Sequence, residues 1–417
     1  MTALTQRLAG YRPSRFQLWV GALAGVTAIG LVAGIIVFAR GLVVTNLNDL
    51  VPWGLWITID LSAIAMSAGA FTLCAAVYLL GLKKYQPLAR TATFIGLIGY
   101  SMALLTLLLD IGRPDRFWHG FVYWNPHSVL WEVTMCVALY FGVLMLETAP
   151  IFGRTAWLRS RWPSLAGRLQ SVHHIAPYLA IAGLGLSMLH QSSLGATYGV
   201  LKARPIWYRP DLSVLFIVSA MAGGIALTVL VTMLAARHWS KIKVRDDILD
   251  RAAWFVGWVL VAYLYFRFWD AFAMTYTYDP GRTEGLRFIT NGPLSFNFWV
   301  GEILFGAVIP ILILLRERSR RNPVLRMLAL GLVVAGIVAY RWDTTMAGQL
   351  VVVSYLPQEL ATRYTTYVPS LIEIASGLGV VAYGMLAVTL GIRYLGVVDH
   401  TPEPEHEAVA ERVPAQA

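Results

Sequence analysis

Charge is scarce in this chain of 417 residues: Asp, Glu, Lys and Arg make up 13% of it, about half the share of a soluble domain. Cysteine is nearly missing. Cys74 and Cys136 stand far apart with no CxxC spacing, so no iron–sulfur cluster, which needs four thiolates, is housed here, and nothing suggests a disulfide. Of eight histidines, only His190 lies well inside an apolar run. His173 and His174 fall at the end of one, and His119 and His127 flank a loop. A transmembrane b-type haem held by facing histidines is therefore not expected. Without an H-E-x-x-H, Walker or Rossmann pattern, metal hydrolysis, nucleotide hydrolysis and NAD chemistry have no support.

What the chain has is apolar surface. Hydrophobic residues make up 57% and aromatic residues 12%, with a mean hydropathy of +0.62. A water-soluble globule cannot hide that much, so the solvent must be lipid. Ten apolar runs predict an all-α integral membrane protein: Phe16–Val44, Gly54–Leu82, Leu88–Asp110, Ser128–Pro150, Val172–Gln191, Leu212–Ala236, Ala252–Tyr276, Leu294–Leu315, Val324–Tyr340 and Val368–Tyr394. The ninth is short, and eight or nine spans stay open if a marginal segment lies in the interface. The N-terminus (Arg7, Arg12, Arg15) and alternate loops (such as Lys83, Lys84 and Arg90, or Arg316, Arg318, Arg320 and Arg321) carry most of the Lys and Arg. By the positive-inside rule both termini are cytoplasmic; the expected location is a bacterial inner membrane. The net charge of +10 is thus mainly a topology signal, not a nucleic-acid patch. Residues 1–15 read as a cytoplasmic N-terminus, 16–396 as the membrane domain, and 397–417 as a disordered cytoplasmic tail. The segment Arg154–Arg168 is either a surface-lying helix or a plain linker.

On this topology the intramembrane charges gather toward the periplasmic side: Asp60, Asp110, Glu132, Arg267, Asp270, Glu302 and Glu373, with His190 near one helix end and Arg341 and Asp343 closing the ninth helix. Two readings compete. Charges such as Arg267 could lock helices through ion pairs, and Asp110 could cap the Gly112-Arg113-Pro114 turn. For the set as a whole a solvated pocket is favoured, because charge in lipid is costly and usually faces a cavity. Trp and Tyr at the same level support a pocket only weakly, since an interfacial belt would look alike. A polar, aromatic pocket in a chain with no redox centre of its own suits a quinone: a flat ring, two carbonyls needing donors, and a two-electron, two-proton reduction needing His or carboxylate groups.

The ordered motifs carry a resemblance. They are Val51-Pro52-Trp53-Gly54-Leu55-Trp56 followed by Asp60 and Ser67-Ala68-Gly69-Ala70; Leu109-Asp110-Ile111-Gly112-Arg113-Pro114 with Arg116-Phe117-Trp118-His119; Trp124-Asn125-Pro126-His127 through Trp131-Glu132; then His190-Gln191-Ser192-Ser193-Leu194-Gly195 and Arg204-Pro205-Ile206-Trp207. The series resembles the NrfD/polysulfide reductase membrane-subunit family, most closely its ten-helix branch, which includes the membrane subunit of Hyb-type nickel–iron hydrogenases and core subunits of alternative complex III. The resemblance implies two four-helix bundles plus peripheral helices, the quinone-site bundle over 54–191 and the second over 212–340. It implies a non-autonomous subunit that binds menaquinone or ubiquinone and exchanges electrons with a periplasmic-side iron–sulfur subunit. A catalytic subunit of hydrogenase, molybdopterin or cytochrome type would complete the complex. The positions that match the family's site are Asp60, Tyr100, Asp110, Arg113, His119, Glu132 and His190, with Trp118 beside them. His190 and Asp110 are expected to meet the quinone or exchange its protons, Glu132 to carry a proton, Tyr100 to relay one deeper, and Arg113 to orient the turn.

There is a departure: the hydrogenase branch leads one to expect a carboxylate midway along the sixth helix, about where Thr232 stands. Ser62, Ser67, Thr72, Tyr78, Tyr100 and Thr106 offer a water-assisted proton wire instead, although such hydroxyls usually bond to their own backbone. A secondary transporter, which predicts inverted repeats, and a passive membrane anchor are the alternative functions.

Overall fold

Residues 14–239, 242–276, 278–356 and 359–398 are described by the computed structural model. Nearly all of the N-terminal segment, and the tail from 399 on, lie outside them. Of the expected tail, Val397 and Val398 are buried, and Thr91 Oγ1 donates to the Val397 carbonyl at 2.8 Å. Those two residues belong to the packed domain.

Among the described residues, ten helices are long and apolar enough to cross a membrane. They are α1 (Arg15–Arg40), α2 (Leu55–Tyr78), α3 (Gln86–Asp110), α4 (Val129–Gly153), α5 (Ala176–Gly199), α6 (Asp211–His238), α7 (Asp246–Ala273), α8 (Asn297–Leu315), α9 (Pro323–Leu350) and α10 (Leu371–Leu395). The chain is an all-α integral membrane protein; its one antiparallel hairpin, β1 (Val351–Leu356) with β2 (Glu359–Tyr364), follows α9. Helices α2 to α5 pack as one group, α6 to α9 as another, and α1 lies chiefly against α10. An even number of crossings puts Ser14 and Val398 on the same face, called here the terminal face.

Small residues let the groups approach. Helix α2 is interrupted at Ala68, where the Ser67 and Thr72 hydroxyls bond back to the Ala63 and Ala68 carbonyls. At that break Gly69 meets Gly224 of α6 so closely that a Cβ on Gly69 would lie 2.5 Å from the Gly224 carbonyl oxygen. Van der Waals contact between backbones is what holds helices together where lipid removes the hydrophobic drive. Gly224→Leu should therefore cost about 1–3 kcal/mol or more through overpacking, read as a lowered thermal midpoint of the detergent-solubilised chain.

Two helix ends differ from those expected, and both move charges. Helix α5 runs on to Gly199, so His190 lies about 13 Å inside its end, not near it. Helix α9 continues to Leu350, so Arg341 and Asp343 lie within it. Polar residues lowered the hydropathy there without ending the helix. Thr345 Oγ1 bonds back to the Arg341 carbonyl, and Gln349 Nε2 donates to the carbonyls of Thr345 and Trp53. The segment Arg154–Arg168 is helical in two short pieces, Ala156–Arg161 and Pro163–Ser171, with Trp157 and Trp162 exposed edge to face.

Candidate functional site

Three polar groups lie inside the helices where one shared pocket was expected. The first lies within α2 to α5. His190 is 0% exposed, and its Nδ1 shares a 2.7 Å hydrogen bond with the Tyr100 hydroxyl of α3. Tyr140 of α4 meets Tyr100 edge to face at 4.8 Å. The neighbouring Gln191 donates from Nε2 to the Ile64 carbonyl, which joins α5 to α2 one turn from Asp60. Five buried polar atoms here have no hydrogen-bond partner among the described residues: His190 Nε2, Gln191 Oε1, Asp60 Oδ1, Tyr140 Oη and Ser187 Oγ. Unspent capacity of this kind inside a membrane bundle is costly and needs a use.

Glu132 extends the group toward the face opposite the termini: Ser193 Oγ, one turn from His190 along α5, donates to Glu132 Oε1 at 2.8 Å. Asp110 is half-buried at the end of α3, within electrostatic reach of Asp60 and Glu373. It does not cap the turn. Asp110 Oδ1 has no partner, and the turn is made by Gly112 at φ +70°. In the other direction lies a residue that sequence reasoning passed over. Glu147 of α4, seven residues or about 10 Å past Tyr140, points at α5, its Oε1 3.7 Å from where a side chain on Gly183 would begin. A signal existed: Glu132, Cys136, Tyr140 and Glu147 fall on one stripe at helical spacing.

Arg113, Trp118 and His119 are not brought to this group. They occupy the segment between α3 and α4, where Arg113 pairs with Asp115 at 3.3 Å, both exposed. The Arg113 guanidinium hydrogen bond holds the Asp115 carboxyl below the usual carboxylate range. His119 packs on Trp118 at 4.3 Å and on Tyr123 at 5.3 Å. The other predicted hydroxyls are spent locally: Ser62 on the Thr58 carbonyl, and Thr106 on those of Met102 and Ala103. Thr232 likewise bonds back to the Thr228 carbonyl at 2.8 Å. Each of these donates its proton to its own helix, and among the described residues no hydrogen bond links one of them to the next.

The second group lies in the other bundle and is the lock that one reading of the charges anticipated. Arg267 of α7 donates from Nε to Glu302 of α8 at 2.7 Å and from Nη1 to Asp270 at 2.6 Å. Tyr263 donates to the same Glu302 oxygen at 2.7 Å, and Arg209, from the α5–α6 connection, reaches Asp270 at 3.1 Å. Glu302 lies in a π-helical stretch, Asn297–Val308, that ends just before Pro310, whose missing N–H would leave Gly306 without its α-helical donor. Arg341 lies over the Phe216 ring at 3.7 Å. The third group is Glu373 at the start of α10, which accepts from the backbone of Asn46 and Ser370 and from Tyr367. The charges thus fall into three hydrogen-bonded sets in place of one, on helices that pack in different groups, with Asp110 of the first within electrostatic reach of Glu373 in the third.

Residues 43–353 match the family described as polysulphide reductase, NrfD. The chain is 33% identical over 401 residues to the "Menaquinone reductase, integral membrane subunit" of Nitratidesulfovibrio vulgaris, covering 94% of each. It is 27% identical to the "Probable Ni/Fe-hydrogenase 2 b-type cytochrome subunit" of Escherichia coli, over 89% of each. It is 25% identical to the "Hdr-like menaquinol oxidoreductase integral membrane subunit" of Archaeoglobus fulgidus, over 93% of this chain and 94% of that one. A family match over residues 43–353, and a relative 33% identical over 94% of the chain, make this chain a member of the NrfD family of integral membrane proteins.

Proposed function

We propose that the chain is the quinone-binding membrane subunit of a respiratory oxidoreductase complex, passing electrons between a partner iron–sulfur protein and menaquinone or ubiquinone. Relatives named for menaquinone reduction and menaquinol oxidation support this reading. The observation that carries it is the His190–Tyr100 hydrogen bond at full burial, with His190 Nε2 and Asp60 Oδ1 left unspent beside it. Quinone chemistry moves two protons with two electrons, so a bundle that serves it must hold groups that gain and lose protons away from bulk water.

The residues take the following roles. Asp110, nearest the opposite face, hydrogen-bonds the headgroup under the segment holding Arg113, Trp118 and His119. Glu132 and Asp60 exchange protons with it. His190 lies deeper and serves as a proton-exchange group, handing a proton through its ring to the Tyr100 hydroxyl. Both termini are cytoplasmic, the quinone side is periplasmic in a bacterial inner membrane, and the iron–sulfur and catalytic subunits dock there. The chain binds no haem in this reading: a bis-histidine site needs two facing imidazoles, and the one histidine fully buried among the described residues already spends Nδ1 on Tyr100, although one relative's name speaks of a b-type cytochrome.

The test is purification of the intact complex in mild detergent, followed by solvent extraction. Copurification with an iron–sulfur protein and recovery of an isoprenoid quinone are expected. A chain purified alone, monomeric and quinone-free, would sink the reading. If the path is proton-conducting, Tyr140 and Glu147 continue it toward the terminal face. Glu147→Gln should then leave electron transfer to quinone in place while proton uptake from the terminal side of proteoliposomes falls to background, read with an entrapped pH dye.

A further inference from the structure

Between the two bundles and the peripheral α1–α10 pair lies a cavity of 1340 Å³. It is not inside the α2–α5 bundle. It runs along the other side of α2 and α3, past Ala63, Met66 and Gly99, with α6, α9 and α10 as its remaining walls. Its lining on α6 runs from Leu227 to His238 and on α10 from Val381 to Ile392, a length of about 16 Å on each helix. The lining continues along α2 from Met66 to Leu55 and reaches Asn297 at the start of α8, so the slot runs from the terminal face across most of a hydrocarbon core roughly 30 Å thick.

The two ends differ in chemistry. At the terminal face the mouth is formed by Arg15, Arg237 and His238 with Phe16, Trp19 and Trp239, and no acidic side chain is among the lining residues described. Deeper in, the walls are largely aliphatic, and the hydroxyls and the Asn297 amide donate locally. Thr58 and Ser62 bond back to the carbonyls of Gly54 and Thr58, Thr389 to that of Met385, and Asn297 Nδ2 to that of Ala339. Apart from the Trp342 indole N–H, a quinone headgroup would find little to hold it here. Water would be poorly held by so apolar a slot. A hydrocarbon chain under a negative headgroup fits both ends.

We infer that this slot is a binding site for an anionic phospholipid of the terminal-face leaflet, its phosphate between Arg15, Arg237 and His238 and an acyl chain reaching toward Trp342. Such a lipid would fill the gap that helix packing leaves, since α1 touches the rest of the chain chiefly through α10. The site is independent of the quinone reading.

The test uses the full chain in its complex, stripped in a neutral detergent and then offered phosphatidylglycerol or phosphatidylcholine of equal chain length in mixed micelles. Retained phospholipid is counted by phosphorus assay and mass spectrometry. Each basic residue near an anionic headgroup is worth roughly fivefold in affinity. Wild type should therefore retain phosphatidylglycerol over phosphatidylcholine by more than about tenfold, and Arg15→Gln with Arg237→Gln should abolish the preference. Val338→Trp, on an exposed wall position, should lower retention of both lipids at an unchanged thermal midpoint. Equal retention of the two lipids by wild type would overturn the site. So would a preference that survives the double neutralisation, or recovery of an isoprenoid quinone whose amount Val338→Trp reduces.

Discussion

Replacing His190 by Gln lowers quinone turnover of the assembled complex by about 10²–10⁴-fold, the range expected for loss of a proton-exchanging group. Gln keeps a hydrogen-bonding partner for Tyr100 and removes the nitrogen that titrates, so helix packing is largely spared. Tyr100→Phe breaks the same 2.7 Å bond from the other side but leaves the imidazole, and should fall between wild type and His190→Gln. The measurement is donor-to-quinone electron transfer with the amount of assembled complex determined in parallel. Unchanged turnover in a fully assembled His190→Gln complex would leave the chain a passive anchor. A double variant that loses no more than the worse single one indicates that the two side chains act as one relay.

The second large effect is on stability. Arg267→Ala leaves the carboxylates of Glu302 and Asp270 buried with a cation gone from between them. Breaking a buried ion pair in this way costs about 3–5 kcal/mol, a large fraction of the total for any domain. The expected result is poor accumulation in the membrane and a sharply lowered thermal midpoint in detergent. Arg267→Met combined with Glu302→Gln and Asp270→Asn should recover much of the loss. Neutral groups carry no unpaired charge, and Tyr263 can still donate to the amide oxygen that Glu302→Gln introduces. If the triple variant is as unstable as Arg267→Ala, packing of the guanidinium against Phe298 and Tyr340, at 5.1 and 5.6 Å, is the larger contribution.

The two effects arise from groups that look alike in sequence, both ionisable side chains in apolar helices. Their partners separate them. In the second bundle, Arg267 binds both of its neighbouring carboxylates directly. In the first, no basic residue reaches Asp60, Glu132 or His190 among the described hydrogen bonds and ion pairs, and acceptors and donors remain over. Atoms without partners occur in both bundles, Arg341 and Asp343 among them in the second; what separates the two groups is the cation that binds Glu302 and Asp270, which suits a lock, and its absence beside Asp60 and His190, which suits exchange.

Composition and periodicity alone determined that this chain lives in lipid as a bundle of apolar helices, because burying a polar backbone in hydrocarbon leaves helices of a set length as the available answer; ten candidate runs were legible, and the structure decided that none of them is a marginal interfacial segment. The residues Tyr100, Glu132 and His190 were also legible, since charge and hydroxyl in a membrane helix are expensive enough to be conspicuous. Which of them meet was not. Helix rotation and depth depend on contacts between residues far apart in the chain, such as Gly69 with Gly224, and on helix ends that hydropathy misjudged by up to about ten residues where polar side chains bond back to the backbone. Only packing decided that His190 joins Tyr100, that Arg267 locks Glu302, that Glu147 of α4 points at α5, and that Trp118 and His119 pack on each other between α3 and α4.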